Sequence, residues 1–143
     1  MRKKGFTALE LVIILAVIVA LIGIAIPSFM SMREESQKTQ AEGDLRVLKI
    51  ACESYYRSTG TYPDESIAWQ HKLVNTSRPI IDKVLIDPFT KAPYKYDVSN
   101  NGRYFIVYSV GPGGEGNAAI ANDGTVTLSK NIIWESNSRN ARQ

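Results

Sequence analysis

Between Phe6 and Ile26 the chain is apolar or small at every position but one, Glu10. A carboxylate inside such a run is poorly solvated if the run lies in hydrocarbon, and residues of this kind pair with a cation or mark a functional position. A cation arises nearby if the chain is cut between Gly5 and Phe6, because the cut leaves an α-ammonium on Phe6 in the same low-dielectric layer. Glu10 of one subunit would then pair with the amine of a neighbour. An ion pair is far cheaper there than two separate charges, so it gives register to an otherwise non-specific helix bundle. The competing reading is that Glu10, about one turn from the membrane end, snorkels to the headgroups.

Little else in the sequence is arranged for chemistry. His71 is the only histidine and Cys52 the only cysteine. A zinc site or a nucleophile–base pair needs partners that neither residue has. No acidic dyad, phosphate-binding loop or metal-ligand cluster can be assembled, so the chain reads as a non-enzyme. Cys52 falls on an apolar helical stripe, which makes it a buried structural thiol, and a single cysteine allows no internal disulfide.

The elements that position Glu10 begin with a basic leader. Arg2, Lys3 and Lys4 account for the whole net charge of +3, since the other 14 Lys and Arg are matched by 14 Asp and Glu. The chain beyond the leader therefore carries no basic excess for nucleic acid, and no nucleic-acid partner is expected. About 20 apolar residues in a helix span a bilayer's hydrocarbon core, and the run here is longer than the 7–15 residues or so of a secretory signal. Pro27-Ser28-Phe29-Met30 behind it is not a small-residue cleavage site. A plain signal anchor fits the length but leaves Glu10 unexplained. A precursor cut ahead of its apolar run explains both, and the leader's charge keeps residues 1–5 in the cytoplasm with everything after residue 27 outside.

Beyond Pro27, Ala41, Leu45, Leu48, Cys52, Tyr55 and Tyr56 recur at three- and four-residue spacing with charges on the other faces, which predicts one helix from about residue 7 to 58, stopped by Gly60. Residues 61–83 read as irregular with a short helix capped by Asp64, its apolar positions Ile67, Leu73 and Val74. Strands are expected at Tyr94–Val98, Tyr104–Val110 and Gly124–Leu128, with Asn100-Asn101-Gly102 as a hairpin turn. The polar stretch from Ser136 to Gln143 reads as a frayed tail.

Lys3-Lys4-Gly5-Phe6-Thr7-Ala8-Leu9-Glu10-Leu11-Val12 resembles the processing signature of the type IV pilin and pseudopilin family. The resemblance implies an α+β fold: a long N-terminal helix, half transmembrane and half packed on a small antiparallel β-sheet. It implies cleavage by a prepilin peptidase after Gly5, methylation of the Phe6 amine, and a role for Glu10 in filament assembly. The expected divisions are a leader at 1–5, a transmembrane and filament-core segment at 6–30, and an extracytoplasmic domain at 31–143. Tyr55–Pro63, Asp87-Pro88-Phe89-Thr90-Lys91-Ala92-Pro93-Tyr94 and Tyr108-Ser109-Val110-Gly111 further resemble, in order and spacing, the major pseudopilin of type II secretion systems.

That second resemblance implies a structural subunit of a secretion pseudopilus, a filament that drives protein export across the outer membrane. Its expected location is single-pass in the inner membrane with the domain in the periplasm. Its expected partners are copies of itself, minor pseudopilins, the peptidase and the inner-membrane assembly platform. The alternative is a pilin of a type IV pilus serving adhesion, motility or DNA uptake; many such pilins carry a C-terminal disulfide, which one cysteine cannot supply. The resemblance also implies calcium in the loop after Tyr-Ser-x-Gly. There Gly113 replaces the family's first aspartate, leaving Glu115, Asn122 and Asp123 as oxygen donors. A glycine-rich loop stable without metal is the other reading of residues 111–124.

Overall fold

The computed structural model describes residues 6–65, 68–129 and 131–139. Helix α1 runs Ala8–Thr59 with Pro27 inside it, close to the span expected from the apolar periodicity. The chain divides into two compact units, one ending at Ser36 and the other beginning at Gln37. The first is α1 alone; every described residue from Phe6 to Ser36 is exposed. Gly60 stops the helix with a φ of 80°, its N–H donating to the Tyr56 carbonyl at 2.8 Å, the left-handed ending that glycine adopts without a Cβ clash.

The second unit is α+β and has three layers. Ala41, Leu45, Leu48, Ala51 and Cys52 form the buried stripe of α1. Beneath it lies an antiparallel sheet in the order β1-β2-β5, with β1 at Lys95–Val98, β2 at Phe105–Ser109 and β5 at Ile133–Ser136. The third layer is the hairpin of β3, Ala118–Ile120, and β4, Val126–Leu128. Side chains alternate across a strand, and β2 uses both faces. Phe105 and Val107 pack with the α1 stripe, Trp69, Leu73 and Tyr94, while Ile106 and Tyr108 pack with Ala118 and Ile120 of the hairpin.

The turn joining β1 and β2 is the expected one. Gly102 sits at φ 66°, and Ser99 N–H donates to the Tyr104 carbonyl at 2.9 Å. Four expectations are corrected. The short helix α2 is His71–Val74, and Gln70 stands at its N-cap without a side-chain cap. Asp64 instead pairs with Lys72, and Ile67 lies outside the described residues. The third expected strand begins at Val126, because Gly124, at φ 85°, belongs to the hairpin turn.

β3 lies within the segment read as a glycine-rich loop, and β5 reaches into the stretch read as a frayed tail. Ser136 is buried, its hydroxyl donating to the Phe105 carbonyl at 2.6 Å, and Asn137 Oδ1 accepts from Phe105 N–H at 2.9 Å. The chain there completes the polar edge of the central strand, so it is held rather than frayed. Residues 140–143 lie outside the described ones.

The Asp87–Tyr94 segment is structural. Asp87 is 2% exposed; one carboxylate oxygen accepts from Phe89 N–H at 2.9 Å and the other from Val110 N–H at 3.3 Å. It thereby ties a tight turn to the end of β2. Tyr94 is buried too, and its hydroxyl donates to Asp44 Oδ2 on α1 at 2.9 Å. Burial, with Asp44 beside it, pushes that hydroxyl's titration far up, so it stays a donor.

Candidate functional site

The surface with the least ordinary chemistry is the start of α1. Phe6, Leu9, Leu11, Val12, Ile13 and the apolar residues that follow are roughly half to four-fifths exposed. A helix that is apolar all round finds its solvent in lipid or among like helices, and α1 is long and apolar enough to cross a membrane.

Thr7 and Glu10 organise its first turn. The Thr7 N–H and hydroxyl both donate to Glu10 Oε2 at 3.0 Å, and Glu10 N–H donates back to Thr7 Oγ1 at 3.2 Å. This reciprocal pattern is a capping box, which satisfies backbone donors that a helix start leaves free. The Thr-x-x-Glu spacing of Thr7 and Glu10 is the sequence signal for this cap, and the electrostatic reading of Glu10 alone does not contain it. Phe6 is exposed beside it; Gly5, the expected cleavage position, lies outside the described residues.

The donors expected for calcium are not gathered together. Glu115 lines a cleft with Pro112, Gly116, Ser129 and Asn131 at the open end of the β3–β4 hairpin. Asn122 and Asp123 sit in the turn at its closed end, separated from Glu115 by the length of β3, at about 3.3 Å per residue. Asn122 is also engaged: Asn101 N–H donates to its Oδ1 at 3.0 Å and Asn101 Nδ2 to its carbonyl at 2.8 Å. Asp123 Oδ1 accepts from Thr125 N–H at 2.9 Å, which holds its carboxyl below the usual range. Among the described residues no three of His, Cys, Asp and Glu could hold one metal ion. These three residues therefore do not fit the ion that the resemblance implies.

Nor is there a catalytic constellation among the described residues. A cavity of about 530 Å³ is lined by Lys49, Trp134, Glu135, Asn137 and Arg139, and its main polar feature is the 2.9 Å Lys49–Glu135 ion pair. His71 is exposed and lines none of the cavities described. Cys52 is fully buried, and burial pushes its thiol far above the range where a thiolate forms.

Comparison with known proteins bears on this arrangement. The family model described as type II secretion system (T2SS), protein G, matches residues 28–125. Type II secretion system core protein G of Escherichia coli is 23% identical over 124 residues, covering 80% of this chain and 85% of the relative. The type IV major pilin protein PilA of Myxococcus xanthus is 36% identical over 63 residues, 44% of this chain and 29% of the relative. A fimbrial protein of Pseudomonas aeruginosa is 42% identical over 52 residues, 36% of this chain and 34% of the relative. The chain thus spans about a third of the length of those two pilins. No solved structure matches significantly.

Proposed function

Starting from the fact that the chain belongs to the protein G family of type II secretion systems, a structural, pilin-type family, we propose that it is a structural subunit of a secretion pseudopilus and has no catalytic activity of its own. The observation that carries this is the exposed, predominantly apolar stretch of α1 from Ala8 to Met32, with a single carboxylate near its start. Such a surface cannot remain in water. It serves as a membrane anchor before assembly and as a helix-packing surface afterwards.

In this reading residues 1–5 are a leader removed between Gly5 and Phe6 by a prepilin peptidase. The Phe6 amine is methylated, and Glu10 pairs with that amine on a neighbouring subunit. Residues 6–30 span the inner membrane once, and residues 31–143 lie in the periplasm. The filament partners are other copies of the chain and minor pseudopilins, with an inner-membrane platform below them. The type IV pilus reading has less support: the secretion relative aligns over 85% of its length, the two pilins over about a third of theirs.

Two measurements test the proposal. Intact mass of the membrane-extracted protein should correspond to a chain starting at Phe6 with one added methyl group; retention of Met1–Gly5, or a cut beyond Ile26, overturns the processing scheme. Deleting the gene should remove specific proteins from the culture medium while twitching motility persists. Lost twitching with an unchanged set of exported proteins overturns the secretion role.

A further inference from the structure

The tips of two hairpins meet, and each is built on a residue that can react with its own backbone. Asn101-Gly102 is the only Asn-Gly in the chain, and Asp123-Gly124 the only Asp-Gly. A glycine leaves its peptide nitrogen unshielded, free to attack the γ-carbon of the residue before it. The two tips are alike. In each, the glycine N–H donates to a carbonyl across the turn, Gly102 to Ser99 at 2.8 Å and Gly124 to Ala121 at 3.0 Å. In each, a side-chain Oδ1 accepts the N–H two residues on, Asn101 from Arg103 at 3.1 Å and Asp123 from Thr125 at 2.9 Å.

Of the two, Asn101 is the electrophile. The Thr125 N–H holds the Asp123 carboxyl below its usual range, and a carboxylate does not accept an amide nucleophile. The Asn101 amide is neutral and fixed in orientation: Nδ2 donates to the Asn122 carbonyl at 2.8 Å, and Oδ1 accepts from the Ser99 hydroxyl at 2.7 Å. Donors on Oδ1 polarise the carbon toward attack. The attack still needs the Gly102 nitrogen to lose its proton, and its hydrogen bond to Ser99 favours the neutral amide. It also needs the side chain to swing onto that nitrogen. The Nδ2 bond, with that from Asn101 N–H to Asn122 Oδ1 at 3.0 Å, keeps it on the opposite tip instead.

We propose that Asn101 is a self-modification site that the β3–β4 tip keeps shut, so that it deamidates only when that tip lifts away. The Gly102 nitrogen then gives up its proton and bonds to Asn101 Cγ. The Cγ–Nδ2 bond breaks, and the leaving nitrogen takes up a proton and departs as ammonia. Water opens the resulting imide at either carbonyl, leaving aspartate or isoaspartate at position 101. No electrons are exchanged, and water is the sole co-reactant. Neither product restores the contact. A carboxylate has no N–H for the Asn122 carbonyl and sets oxygen against oxygen; isoaspartate also lengthens the backbone of a tight turn. A tip that has lifted and reacted therefore stays off.

The test incubates the full-length protein in detergent micelles at mildly alkaline pH, beside a synthetic peptide spanning Tyr96–Arg103. Mass spectrometry of the tryptic fragment with the same span reads acid and isoaspartate at position 101. Conversion in the folded chain should run at about a tenth of the peptide's rate or below, because it waits on local opening. Asn122→Ala removes the acceptor of the Asn101 N–H and should speed conversion about fivefold, the scale of one net hydrogen bond. Leu48→Ala, in the α1 stripe away from both tips, should leave the rate as in wild type. Asn101→Asp reproduces the charge of the products, and its amides at residues 118–128 should exchange about tenfold faster than in wild type, with residues 41–52 unchanged. Wild-type conversion at the peptide's rate overturns the proposal, as do equal rates in Asn122→Ala and wild type. Equal acceleration by Leu48→Ala, or unchanged exchange in Asn101→Asp, overturns it too.

Discussion

Glutamine at position 10 could make the same contacts with Thr7 that glutamate does, because a capping box needs only a side-chain acceptor at that position. This separates two roles that a leucine substitution would remove together. Glu10→Gln should leave the helix start intact and the subunit cleaved and inserted, while sheared filament falls roughly tenfold or more, the scale set by a neighbour's ammonium left without its anion. Glu10→Leu should lose filament equally and also fray the first turn. Filament yield in Glu10→Gln equal to wild type would make the carboxylate a helix cap and nothing more. A second residue-scale expectation concerns Gly111, at φ 71°, where an added Cβ would lie 1.6 Å from the Asn131 carbonyl oxygen. Gly111→Ala should destabilise the domain by about 3 kcal/mol or more, because backbone rather than a flexible side chain must yield. Thermal melting would show it.

At the scale of elements, the β3–β4 hairpin is tied down by amides and hydroxyls. Asn101 grips Asn122 in its turn, Tyr108 donates to Asn117 Oδ1 at 2.8 Å, and Ser138 donates to the Gly124 carbonyl at 2.7 Å. Excess calcium and excess chelator should accordingly give the same thermal midpoint, whereas a filled site would raise it by adding about 3 kcal/mol of stability through linkage. Asn101→Ala should lower the midpoint by about 4 °C in either condition. A midpoint that responds to calcium would mean that the loop rearranges to gather its donors. The same hairpin marks where reading the sequence stops. The long helix and the β1–β2 turn were legible because their signals are local: dense periodicity in one, Asn-Gly in the other. β3 is three residues, two of them alanine, among glycines, and nothing local distinguishes it from loop. The chain at Ser136 and Asn137 owes its order to partners distant in sequence, Ser136 to Phe105 and Asn137 to both Phe105 and Tyr62, and the polar composition of the stretch that begins at Ser136 pointed the other way. Of the candidate site, the carboxylate in the apolar run was legible. Its engagement with Thr7 was spelled out in the residue types but eclipsed by the electrostatics.

For the whole molecule, the division after Ser36 separates a segment with no buried residue among the described ones from one that holds the described core. A fragment beginning at Gln37 keeps Ala41, Leu45, Leu48, Ala51 and Cys52 under the sheet, so it should fold and elute as a soluble monomer. The full chain should require detergent. Aggregation of the fragment would mean that the exposed Val47, Ile50 and Ile86 need cover even without the apolar segment. Cys52, fully enclosed in that core, has a temporal meaning as well. The chain's single thiol is open to reagents only until the domain closes over it. A membrane-impermeant alkylating agent added during export would thus record how long each molecule waits before it folds. Molecules that carry the label could not regain the native core, since 0% exposure leaves no room for an adduct. The thiol then acts as a stopwatch that stops once per molecule and leaves a permanent mark on the late ones.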